Sequence, residues 1–214
     1  MRAILWDLDD TLLDTAERRM DALAAAYQKC LNATTDPYAL WRSRGGRTLE
    51  SLGRDLLGAR YGDFLEAFAE SYKSHPVGPS PYPGIGATLA RIAESGLQQA
   101  VVTSRGSWAA TEELASCGLL SHFHSVIAFE DTDDHKPDPE PLIHALERLF
   151  IDDPRLTAYV GDTPADVTAA KAAGCRAVAA TWGSMDREAL LESAPDLVAG
   201  APADVLDVLE GVKP

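Results

Sequence analysis

Short apolar runs alternate with stretches of helical periodicity along most of this chain, and this alternation limits the possible folds more than any other feature. Residues 3–8 (AILWDL), 99–103 (QAVVT), 125–129 (SVIAF), 157–160 (TAYV), 177–180 (AVAA) and 197–198 read as strands. Runs that do not alternate with polar residues suit strands buried on both faces. Between them, residues 85–94, 108–117, 139–149, 164–173, 187–192 and 203–209 have helical patterning. Strands alternating with helices predict βαβ units, hence an α/β fold on a mostly parallel sheet. Gly96, Gly118 and Gly174 each follow a helical stretch, where a left-handed cap favours glycine. Asp162 or Thr163 can N-cap the helix that has Pro164 in its first turn.

One region departs from the alternation. From residue 15 to the mid-seventies the chain holds ERRMDALAAAYQKCLN, YALWRS, LESLGRDLLGARYG and DFLEAFAESYKSH, all with apolar residues at helical spacing. Residues 75–84 (HPVGPSPYPG) then read as a Pro- and Gly-rich joint. These features predict a four-helix insert over residues 15–78, set between the first strand and the rest of the sheet.

The 214-residue chain is 46% hydrophobic and 24% charged, an ordinary globular balance. That length suits one domain plus an insert, or two small domains. A net charge of -14 opposes a polyphosphate backbone, so no nucleic-acid partner is expected. Cys30, Cys117 and Cys175 are odd in number and form no CxxC pair, which argues against a disulfide framework or a zinc site. No apolar run reaches about 18 residues, so no membrane partner is expected. The N-terminal apolar run is too short for a secretory signal, and the expected location is cytoplasmic.

Four loops carry the chemistry, each at the carboxyl end of a predicted strand. Asp7 and Asp9 are two apart, so on an extended chain both project from one face. Convergent carboxylates call for a counter-charge, and a hard cation such as Mg²⁺ prefers oxygen ligands. Thr103 and Ser104 offer donors to an anion at a helix start. Lys136, followed by Pro137, is a fixed positive charge suited to a phosphate or to the aspartates. Asp162 and Asp166 are four apart, so both can address a point beyond the strand end. The alternative for this last pair is helix capping, which is compatible with metal binding.

Taken in order, these loops resemble the four motifs of the haloacid dehalogenase superfamily of hydrolases: a DxDxT loop at residues 7–11, a Ser/Thr turn at Thr103 and Ser104, a lysine at Lys136, and a GDxxxD-type loop at residues 161–166. The stretches HKPDPEPL and GDTPADVTAAKAAG are similar to phosphoglycolate phosphatase-like and pyrophosphatase-like members. The resemblance spans essentially the whole chain. It implies a Rossmann-like core (residues 1–14 and 79–214) with a small helical cap (residues 15–78).

The resemblance also implies a Mg²⁺-dependent phosphatase for a small phosphorylated metabolite. Asp7 would be the nucleophile that forms an aspartyl-phosphate, Asp9 the general acid–base and Lys136 a catalytic cation. Asp7, Asp9 (through its carbonyl), Asp162 and Asp166 would hold the metal, and Asp10, Thr103, Ser104 and Lys136 the phosphate. Arg44, Gly45, Gly46 and Arg47, in a loop between cap helices, would reach the leaving group. The chain departs from the family pattern at Asp10, where many relatives carry Gly, and at Arg105, a position often held by Asn or Lys. Asp9 together with Asp162 favours phosphatase or mutase chemistry over dehalogenation. Inorganic pyrophosphatase and phosphosugar mutase remain alternatives, as does a catalytically silent phosphate-binding module. The oligomeric state stays open.

Overall fold

A computed structural model describes residues 1–43 and 48–207. The chain runs through β1 (Ala3–Trp6), β2 (Leu13–Asp14), α1 (Ala16–Leu31), α2 (Pro37–Ser43), α3 (Leu49–Leu57), α4 (Tyr61–Ser74), β3 (Ser80–Pro81) and α5 (Ile85–Glu94). It continues through β4 (Gln98–Val102), α6 (Ser107–Ser116), β5 (Ser125–Ile127), α7 (Glu140–Arg148), β6 (Thr157–Gly161), α8 (Pro164–Ala172), β7 (Arg176–Ala180), α9 (Arg187–Glu192) and β8 (Leu197–Ala199). It divides into two compact units, residues 1–14 with 80–214 and residues 15–79.

The first unit is built on a six-stranded sheet in the order β5-β4-β1-β6-β7-β8, with every pairing parallel. Alternation along β1 shows how it is buried. Ala3 and Leu5 join one core with Leu142 and Leu146 of α7 and Val167 of α8. Ile4 and Trp6 join the opposite core with Leu89 and Ile92 of α5 and Leu114 of α6. Helices therefore cover both faces, which is why the strands read as unbroken apolar runs. The strand order reverses at β1, and in open α/β sheets the crevice at such a switch point is where ligands bind.

Residues 203–209 were expected to be helical; the structure shows a 3₁₀ turn over Pro202–Leu206, and the chain is described only to residue 207. The Pro-rich joint also differs from its reading as a plain linker. Ser80 and Pro81 pair antiparallel with Asp14 and Leu13, and the Tyr82 amide donates to the Leu12 carbonyl at 3.1 Å. The outgoing and returning chain segments are thus tied to each other. A pair of two-residue strands, one containing proline, shows no sequence period.

The second unit is helical. Leu23 and Ala26 of α1, Leu52 of α3, and Phe64 and Ala67 of α4 form its core, with Leu40 and Trp41 of α2 packed against it. Arg18 donates to the Tyr72 carbonyl at 2.6 Å, with its guanidinium 4.0 Å from the Tyr72 ring centroid. Among the described residues, no helix is long and apolar enough to cross a membrane. All three cysteines are free thiols.

Candidate active site

β1 stops at Trp6, and the chain turns at once. The Asp7 amide still donates to the Val160 carbonyl of β6 at 2.8 Å, which holds Asp7 at the carboxyl edge of the sheet. Asp10 then takes a left-handed conformation (φ 59°), and its amide donates to the Leu13 carbonyl at 2.7 Å. Glycine adopts that conformation freely and aspartate tolerates it. Asp10 is fully buried and its amide is engaged by the turn.

Lys136 joins the separate loops into one cluster. Its Nζ donates to Asp7 Oδ1 at 2.6 Å, to the Tyr159 hydroxyl at 2.8 Å and to Asp166 Oδ1 at 2.8 Å. The Tyr159 hydroxyl donates to the Val102 carbonyl at 3.1 Å and lies 3.0 Å from Asp166 Oδ1. Asp166 Oδ2 accepts from both the amide and the hydroxyl of Thr163, at 3.0 and 2.6 Å. Between the two capping candidates, the structure therefore selects Thr163, in a capping box with Asp166. Asp162 instead accepts from the Thr11 hydroxyl at 3.2 Å. Gly161 allows this packing, because a Cβ there would run into the Asp166 side chain.

Asp7, Asp162 and Asp166 are all buried, and each offers a carboxylate oxygen within 4.8 Å of the others. Together with Lys136 they carry a formal charge of minus two. An all-oxygen donor set with that excess fits a hard divalent cation. Burial raises the Asp7 carboxyl to about 7 against the pull of Lys136, with Asp166 and Asp9 adding to the rise. Burial opposes the Lys136 charge, but Asp166 and Asp7 outweigh it and hold the ammonium above its ordinary value. Burial would also raise Asp166; Lys136 and Thr163 reverse that and hold it low.

Asp9 takes a different partner from Asp7. Its carboxylate lies outside the three-carboxylate cluster and pairs with Arg105, Nη2 to Oδ1 at 2.6 Å and Nε to Oδ2 at 3.2 Å. Thr103 ends the sheet edge at β4, its amide donating to the Ile127 carbonyl at 2.9 Å and its hydroxyl accepting from the Arg105 amide at 3.2 Å. Ser104 is exposed beside it. Arg44, Gly45, Gly46 and Arg47 lie outside the described residues.

Sequence reasoning missed several neighbours of this site. Tyr159 stands in the sequence as an aromatic hydroxyl within the run TAYV. Trp182, whose Nε1 donates to the Thr11 carbonyl at 2.9 Å, and Gly183, packed on Asp10, carried no local signal.

The model of the family described as haloacid dehalogenase-like hydrolase matches residues 4–180 of this chain. The chain is 33% identical over 222 residues to a phosphoglycolate phosphatase of Pectobacterium atrosepticum, covering 98% of this chain and 92% of the relative. It is 30% identical over 216 residues to a Caldanaerobacter subterraneus protein named "Putative pyrophosphatase PpaX", covering 98% and 94%. A hydrolase from Pseudomonas syringae has a similar solved structure, with a TM-score of 0.85 at 22% identity and all of both chains covered.

Proposed function

The chain belongs to the haloacid dehalogenase-like hydrolase family, and from that premise we propose that it is a Mg²⁺-dependent phosphatase acting on a small phosphomonoester through an aspartyl-phosphate. The observation that carries this reading is the buried meeting of Asp7, Asp162 and Asp166 around one lysine. Likeness to a phosphoglycolate phosphatase along nearly the whole chain supports the phosphomonoester class.

In this reading, an Asp7 oxygen attacks phosphorus in line with the leaving group and forms an acyl phosphate. Asp9 gives a proton to the departing oxygen and then takes one from the water that cleaves the acyl phosphate. Inorganic phosphate leaves and the Asp7 carboxylate returns. Lys136, Thr103 and Ser104 hold the phosphoryl oxygens as charge builds on them. Mg²⁺, held by Asp7, the Asp9 carbonyl, Asp162 and Asp166, would supply the positive charge that lets a carboxylate approach an anionic phosphoryl group. Asp166, with both oxygens engaged by Lys136, Tyr159 and Thr163, also keeps the lysine in place.

The helical unit would act as a cap that sets substrate choice. Three free thiols suit a reducing, cytoplasmic setting. The test is phosphate release from an alkyl phosphate, with and without Mg²⁺, by wild type and Asp7→Asn. Activity that needs both Mg²⁺ and Asp7 supports the reading; undiminished turnover by Asp7→Asn refutes the covalent route. The relative named for pyrophosphatase activity motivates a second arm with pyrophosphate, in which two phosphates released per substrate would favour that activity.

A further inference from the structure

Two acids only two residues apart take different cations. Asp7 is bound by the point charge of Lys136, and Asp9 by the planar fork of Arg105. Arg105 leaves the β4–α6 turn directly after Thr103 and Ser104, and its Nε and Nη2 meet one oxygen each of the Asp9 carboxylate. The remaining arm, Nη1, reaches Glu113 on α6 at 3.2 Å. These side chains are largely enclosed, with 12% of Arg105, 16% of Asp9 and 10% of Glu113 accessible. A bidentate pair fixes the plane of a carboxylate as well as its position, which a lysine at this place could not do.

We propose that Arg105, anchored by Glu113, is a positioning residue that aims the Asp9 carboxylate at the leaving-group oxygen. The inference rests on the reading of Asp9 as the acid–base group. Lys136 is already held between Asp7 and Asp166, so it cannot take over this task. Glu113 fixes the guanidinium from α6, so the fork holds the plane of the Asp9 carboxylate.

The leaving group provides the test. An alkoxide departs poorly without a proton, whereas p-nitrophenolate departs without help. Arg105→Gln is expected to lower kcat on an alkyl phosphate such as phosphoglycolate by about 10- to 100-fold, a part of the roughly 10²–10⁴-fold that acid–base help supplies. The first-turnover release of p-nitrophenolate from p-nitrophenyl phosphate, which precedes the water step that Asp9 also serves, should stay within about threefold of wild type. Arg105→Lys should recover only part of the alkyl rate. Glu113→Gln should show the same selective loss in smaller measure, and it provides the reading if Arg105→Gln fails to fold.

Asp9→Asn is the reference. If its first turnover is slowed selectively on alkyl substrates while that of the Arg105 and Glu113 variants is slowed on both substrates equally, or on neither, the positioning role is overturned and the Asp9 role stands. If the first turnover of Asp9→Asn itself shows no selectivity, the acid–base reading has failed and the positioning role falls with it.

Discussion

Gly183 and Asp10 touch backbone to backbone: a Cβ on Gly183 would collide with the Asp10 carbonyl oxygen and lie 2.8 Å from the Tyr82 hydroxyl. The loop that begins at Asp7 is thus supported from β7's side of the sheet, with Trp182 holding the Thr11 carbonyl next door. Because the colliding atoms are backbone, Gly183→Ala must displace the loop itself. The expected cost is about 1–3 kcal/mol of stability, as for other overpacked sites. Turnover should fall by up to about 100-fold, since a displacement near 1 Å is enough to spoil in-line attack. Thermal unfolding and kcat on one substrate check both; a variant with wild-type turnover would show that the contact does not set the nucleophile's position.

Lys136→Met keeps much of the volume and removes the charge. Asp7 and Asp166 would then face each other across a buried site with no ammonium between them. Breaking a buried pair in this way costs about 3–5 kcal/mol, so the metal-free variant should unfold at a clearly lower urea concentration. Phosphate release should be lost as well. Mg²⁺ should raise the variant's midpoint more than the wild type's, because the site carries one more uncompensated negative charge.

What could be read in advance depended on how local its cause was. Strands β1, β4 and β6 show in the sequence because burial on both faces leaves them apolar, and the loops after them show because carboxylates, hydroxyls or a lysine interrupt the runs abruptly. The meeting of those loops follows from the parallel order of the sheet. Arg105 with Asp9, and Trp182 with Thr11, join residues 96 and 171 positions apart, and no period connects them. The Thr163 cap was visible only as one of two candidates, because the choice depends on Asp166 turning back to its amide.

Tyr159→Phe isolates one hydroxyl of the cluster. It removes a partner of the Lys136 ammonium and of the Val102 carbonyl and changes little else in the strand. The expected loss is about 1–3 kcal/mol, since the groups left behind are buried. Turnover should fall less than in Lys136→Met, because the lysine keeps both of its aspartates. Denaturant unfolding set against kcat checks this; a fall in turnover as large as that of Lys136→Met would mean that the hydroxyl does more than orient the lysine.

Metal-free stability should fall as pH rises from about 5 to about 8. In the folded protein burial raises the Asp7 carboxyl to about 7, while in the unfolded chain it titrates at its ordinary value near 3.8. Between those values the folded state holds a proton that the unfolded state has lost, so stability declines with pH, by at most about 1.4 kcal/mol per pH unit. Asp166, held low, adds stability that is lost only as the solution becomes more acidic than this window. Lys136, held high, adds stability that persists through it. Urea midpoints in EDTA at pH 5.5 and 8 should therefore differ in wild type and converge in Asp7→Asn. Mg²⁺ competes with the Asp7 proton, so its stabilising effect on wild type should be larger at pH 8 than at pH 5.5. An Asp7→Asn variant with the same pH slope as wild type would assign the titration to another group.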